Sequence, residues 1–135
     1  MVATLDELLA VSDIVTLHPP LTEETRAMIG RRELGLMRPG VTIINVARGA
    51  LIDEAALMRT LQEGRLGGAA LDVLETEPLP VESPLWKAPR LLLTPHISAI
   101  SDRLWARQTE LLVDLLERWF AGREMYNQVD LERGY

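Results

Sequence analysis

Four short apolar runs, set between helical signals, constrain this chain more than any other feature: Ile14-Val15-Thr16-Leu17, Val41-Thr42-Ile43-Ile44, the stretch 68–73, and Leu91-Leu92-Leu93. Each has strand length, and the second is apolar on both faces, as a buried parallel strand must be. The first stops at Pro19-Pro20, which cannot supply ladder donors, and Pro39-Gly40 marks the turn before the second. The segments between them read as helices. Thr4 with Glu7 makes a capping box for a short helix through Leu8 and Leu9 that ends before Ser12 and Asp13. Thr22 caps a helical segment with Glu23 and Glu24 in its first turn and Gly30 at its end. Asp53 caps a helix over 54–63 that Gly64 closes, and Ser101 opens a long amphipathic helix that closes near Gly122. Strand and helix alternating in such short steps predict right-handed βαβ units. The expected fold is therefore α/β: a parallel sheet with helices on both faces, followed by a long C-terminal helix.

Length allows one real core and not two, since a chain of 135 residues buries roughly two thirds of its unfolded surface. The formal charge of -6 and the absence of a basic cluster argue against a nucleic-acid partner. The chain has no cysteine, hence no disulfide, no thiolate metal site and no thiol nucleophile, and no metal is expected. No stretch approaches the ~20 apolar residues needed to cross a bilayer, so no membrane partner is expected and the chain reads as cytoplasmic.

In open α/β sheets, ligands bind outside the carboxyl ends of the strands. The residues there are His18-Pro19-Pro20, then Asn45-Val46-Ala47-Arg48-Gly49, then Asp72-Val73 with Glu77 beyond, and Thr94-Pro95-His96. His96 is the natural acid/base, because imidazole exchanges a proton near neutrality. Glu77 could orient it and raise its pKa by favouring the charged form. Arg48 offers a planar fork for a carboxylate or a polarised carbonyl, and Gly49 permits a close backbone approach. Asp72 lies in an apolar strand, so it is either specifically hydrogen-bonded or at an exposed end. Taken singly, each has an ordinary reading: a loop histidine on a carbonyl, a solvated acid, a surface ion pair. His18 reads as structural.

Four blocks change that balance: 16–22 (TLHPPLT), 37–49 (MRPGVTIINVARG), 68–78 (GAALDVLETEP) and 93–97 (LTPHI). In this order and spacing they resemble the D-2-hydroxyacid dehydrogenase family, which includes phosphoglycerate dehydrogenase and the glyoxylate or hydroxypyruvate reductases. The resemblance covers the chain from Leu5 onward. It implies the C-terminal portion of a Rossmann-type cofactor domain over 1–100, and a long helix and tail over 101–135 that returns to the substrate domain. It also implies catalytic roles for Arg48, Glu77 and His96. Arg48 would bind a 2-oxo acid, His96 would protonate its carbonyl oxygen, and Glu77 would pair with His96. NAD or NADP would be lined by Pro19, Val46, Ala47, Arg48, Asp72, His96, Ser98 and Ala99. Where Ser98 stands the family usually has glycine or alanine, and where Pro19 stands it often has leucine or threonine.

No G-x-G-x-x-G opens a helix anywhere in the sequence, so the pyrophosphate cradle and the residue choosing NAD or NADP are not encoded here. The apolar face of Leu104, Leu111, Leu112, Leu115, Leu116 and Trp119 is expected to want a partner. Three readings stay open: a truncated dehydrogenase with little activity alone, one chain of a complemented or swapped homo-oligomer such as a dimer, and a non-catalytic binding or regulatory module.

Overall fold

The computed structural model describes residues 4–132. They form two compact units that divide between Ser98 and Ala99. In the first unit the elements run α1 (Leu5–Val11), β1 (Ile14–Leu17), α2 (Arg31–Leu36), β2 (Thr42–Asn45), α3 (Glu54–Gln62), β3 (Gly68–Leu71) and β4 (Leu91–Leu93). All four strands are parallel, in the order β1-β2-β3-β4.

That order explains where the core lies. When strands follow one another without reversal and every crossover is right-handed, all the connections fall on the same face. Accordingly Val15, Leu17, Ile43, Ala69 and Leu71, from one face of the sheet, share a core with Leu9 of α1, Leu34 of α2, and Leu57 and Leu61 of α3. On the opposite face Ile14, Thr16 and Leu92 are exposed, and Thr42, Ile44, Gly68 and Ala70 are half-buried.

The caps act as their chemistry predicts at two helices. The Thr4 side chain accepts the Glu7 amide, and Asp53 accepts the Ala56 amide at 2.9 Å. The strands shift slightly from expectation: β2 runs one residue later, and β3 ends at Leu71, which releases Asp72 and Val73 into the rim.

The helix expected from Thr22 to Gly30 does not form. The Thr25 hydroxyl donates to the Pro20 carbonyl at 2.7 Å and accepts the Thr22 amide at 2.8 Å, offering the backbone a turn in place of a helix. Ala27 then takes a left-handed φ of 49°, and Ile29, fully buried, pairs in parallel with Ile52. Gly30 thus starts a helix rather than ending one: its amide donates to Glu33 Oε2 at 3.1 Å, and α2 follows.

In the second unit, α4 (Leu104–Phe120) begins three residues after Ser101, whose carbonyl accepts the Leu104 amide in the preceding turn. Gly122, at φ 62°, closes it. Arg118 pairs with Asp114 one turn back and stacks over the Tyr126 ring at 4.8 Å. Leu112, Trp119 and Phe120 are exposed on the helix.

Candidate active site

The carboxyl ends of β3 and β4 bring four of the expected residues, Asp72, Glu77, His96 and Ser98, into one hydrogen-bonded group. Asp72, the first residue after β3, is buried, and its two oxygens accept from the Thr94 hydroxyl, the Ile97 amide at 3.0 Å and the Ser98 amide at 2.8 Å. Its own carbonyl accepts the His96 amide at 2.8 Å. One aspartate therefore pins the whole 94–98 turn. Burial by itself would push its pKa up, but the bonds from Ser98, Thr94 and Ile97 outweigh that and hold the carboxyl far below the usual range.

The turn so held places His96 at φ 55°, a left-handed backbone uncommon outside glycine and sustained only where surrounding contacts enforce it. The imidazole Nδ1 lies 2.8 Å from Glu77 Oε2. Glu77 is fixed in turn by the Leu74 amide, which donates to its Oε1 at 2.8 Å. The hydrogen bond with His96, helped by the Leu74 amide, lowers the Glu77 pKa, so the carboxylate is the acceptor and Nδ1 the donor at neutral pH. That leaves Nε2 as the ring atom free to exchange a proton, and no partner meets it among the described residues. Asp72, Glu77 and His96 border a cavity of about 670 Å³ whose walls include Leu74, Leu79, Trp86 and Leu93.

Arg48 stands on the neighbouring loop, after β2, and its guanidinium is exposed with a single bond to the Ala47 carbonyl at 2.6 Å. No hydrogen bond joins it to His96 or Glu77. Val46 and Ala47 are half-buried in the same loop, and Pro19 is half-buried after β1. Ser98 is tied to Asp72 through its amide, and Ala99 opens the second unit. His18 is hydrogen-bonded through Nε2 to Thr16 Oγ1 at 2.9 Å.

Two residues that build this rim stood in the expected segments with no role assigned to them. Thr94 is one, recognisable only once its hydroxyl is seen on Asp72. Asn45 is the other: it is buried, its Oδ1 accepts the Ala47 amide at 3.1 Å and its Nδ2 donates to the Arg48 carbonyl at 2.8 Å, shaping the loop that presents Arg48. An asparagine at the end of an apolar strand was the available signal. Gly49 does permit a close approach, but the visitor is backbone: a Cβ there would lie 1.9 Å from the Leu74 carbonyl carbon.

A family model described as the NAD binding domain of D-isomer specific 2-hydroxyacid dehydrogenases matches residues 1–98. The chain belongs to that family. The glyoxylate reductase of Korarchaeum cryptofilum is 40% identical over 128 residues, covering 95% of this chain and 39% of its own length. The glycerate dehydrogenase of Methylorubrum extorquens is 41% identical over 121 residues, covering 88% and 38%. Among solved structures, a D-isomer specific 2-hydroxyacid dehydrogenase from Xanthobacter autotrophicus Py2 in complex with NADPH and MES is 44% identical, with a TM-score of 0.88, covering 97% of this chain and 53% of that one. The chain thus spans about two fifths of the length of the curated relatives it matches.

Proposed function

We propose that this chain is the proton-transferring part of an NAD(P)-dependent oxidoreductase that interconverts 2-oxo and 2-hydroxy acids. The observation that carries the reading is the Glu77–His96 pair, held at 2.8 Å on a strained turn that Asp72 anchors. Its donor set fits the nicotinamide half of the cofactor: an exchangeable imidazole nitrogen, a carboxylate orienting it, and a guanidinium on the adjoining loop. Pro19, Val46, Ala47, Asp72, Ser98 and Ala99 would line the cofactor. When bound, the nicotinamide supplies or accepts the hydride at the substrate's C2. In reduction, protonated His96 gives its Nε2 proton to the carbonyl oxygen while Glu77 keeps the ring in one orientation; in oxidation, the neutral ring takes the hydroxyl proton back. Arg48, with most of its donors uncommitted, binds the substrate carboxylate.

In this reading residues 1–100 are the rear portion of the cofactor domain, and 101–135 are the helix and tail that return to a substrate domain. The pyrophosphate cradle comes from residues outside this sequence, the working enzyme is a homodimer, and it acts in the cytoplasm. The test follows NADH or NADPH oxidation by glyoxylate and hydroxypyruvate, with the chain assayed alone and with the N-terminal part of a relative added. Turnover that falls roughly 100-fold or more in His96→Asn is expected. No reduction in either assay, or turnover indifferent to His96→Asn, overturns the reading.

A further inference from the structure

The opposite end of the sheet carries a second polar site. Between the packed helices α2 and α3 lies a cavity of about 200 Å³ bordered by Arg31, Arg59, Arg65, Glu63 and Thr60. The Arg65 carbonyl accepts the amide of Gly40, just before β2, and Arg65 itself precedes β3. The cavity therefore sits toward the amino ends of the strands, whereas Glu77 and His96 follow the carboxyl ends.

Three guanidinium groups and one carboxylate leave two formal positive charges there, in a chain of net charge -6. Arg32 and Arg38, nearby in sequence, each hold an acid, but none of the three arginines at this cavity makes an ion pair among the described residues. Each has only part of its hydrogen-bonding capacity accounted for. Arg59 Nε donates to the Ala55 carbonyl at 3.3 Å and Arg65 Nη2 to the Gly35 carbonyl at 3.1 Å, contacts that satisfy helix carbonyls and use one donor apiece. Arg31 sits in the first turn of α2, where a cation gains nothing from the helix dipole. Guanidinium forks that border one cavity with donors to spare suit a tetrahedral dianion, which can take several charge-assisted bonds at once.

We infer that the α2–α3 cavity binds a phosphate group, free or as a phosphomonoester, through Arg31, Arg59 and Arg65. Amide NMR of the 135-residue chain tests this, with inorganic phosphate, glycerol phosphate and succinate titrated at fixed ionic strength. Saturable shifts at Arg31, Gly35, Arg59, Glu63 and Arg65 are expected with the two phosphates, and a tighter ester than inorganic phosphate identifies an ester ligand. Arg31→Gln, Arg59→Gln and Arg65→Gln should each weaken binding about tenfold, and Glu63→Gln, by removing the one opposing charge, should strengthen it several-fold. All four side chains are exposed, so far-ultraviolet circular dichroism should stay unchanged. Absence of saturable shifts, succinate binding as tightly as phosphate, or affinities indifferent to these four changes would overturn the assignment.

Discussion

Replacing Asp72 with asparagine removes a single charge and alters almost no volume, yet the structure makes it a costly change. The carboxylate accepts from the Thr94 hydroxyl and from two backbone amides, Ile97 and Ser98. An asparagine keeps one carbonyl oxygen and turns an NH2 toward a group that can only donate, so at least one of the two amides loses its acceptor. A hydrogen bond to a charged group contributes about 1.5–3 kcal/mol, and a partly buried donor left without its acceptor adds about 1 kcal/mol. With the remaining bonds weakened to neutral ones, Asp72→Asn should destabilise the chain by about 3 kcal/mol, a drop in melting temperature on the order of 10 °C. Urea unfolding at pH 7 measures it. The pH dependence gives a second, independent readout. Because the folded-state pKa of Asp72 is depressed, its contribution is fully present above the unfolded value of about 4 and is lost as pH falls toward the folded one. The gap between parent and variant should therefore narrow from pH 7 to about pH 3. A loss below about 0.5 kcal/mol, or a gap that does not change with pH, refutes the view that this carboxylate anchors the turn.

Gly49→Ala should destabilise by about 3 kcal/mol or more, because the added Cβ meets Leu74 and Glu75 backbone rather than a side chain able to swing away; an unfolding midpoint within error of the parent's would show that the loops after β2 and β3 part easily. His96→Ala should raise the pKa of Glu77 toward the ordinary glutamate range, since the His96 hydrogen bond is the largest cause of its depression. Carboxyl ¹³C shifts followed against pH report this, and an unmoved midpoint would mean that the Leu74 amide alone sets it.

The sheet and most of the candidate rim are legible in the amino-acid sequence. Parallel strands buried on at least one side must be apolar, short and bounded by turn residues, and chemistry on such a sheet collects after the strands, so position and residue type nominate Glu77 and His96 and the family blocks single them out. What stays hidden depends on partners distant in sequence. The segment 22–30 carries helix-start chemistry at Thr22, but the Thr25 hydroxyl and the pairing of Ile29 with Ile52 decide against a helix, and neither shows in local pattern.

The alternation of runs and caps, acting through side-chain period and backbone donors alone, determined the strands and their parallel direction; their order and the face their helices share came only with the structure. Only the tertiary structure decided that Asp72 spends its charge on the 94–98 turn, that Gly49 makes room for backbone, and that three arginines from α2, α3 and the loop beyond share one cavity. The physical reason is the same in each case: a hydrogen bond, a steric contact or a charge cluster acts over a few ångströms in space, across separations that reach 25 residues or more along the chain.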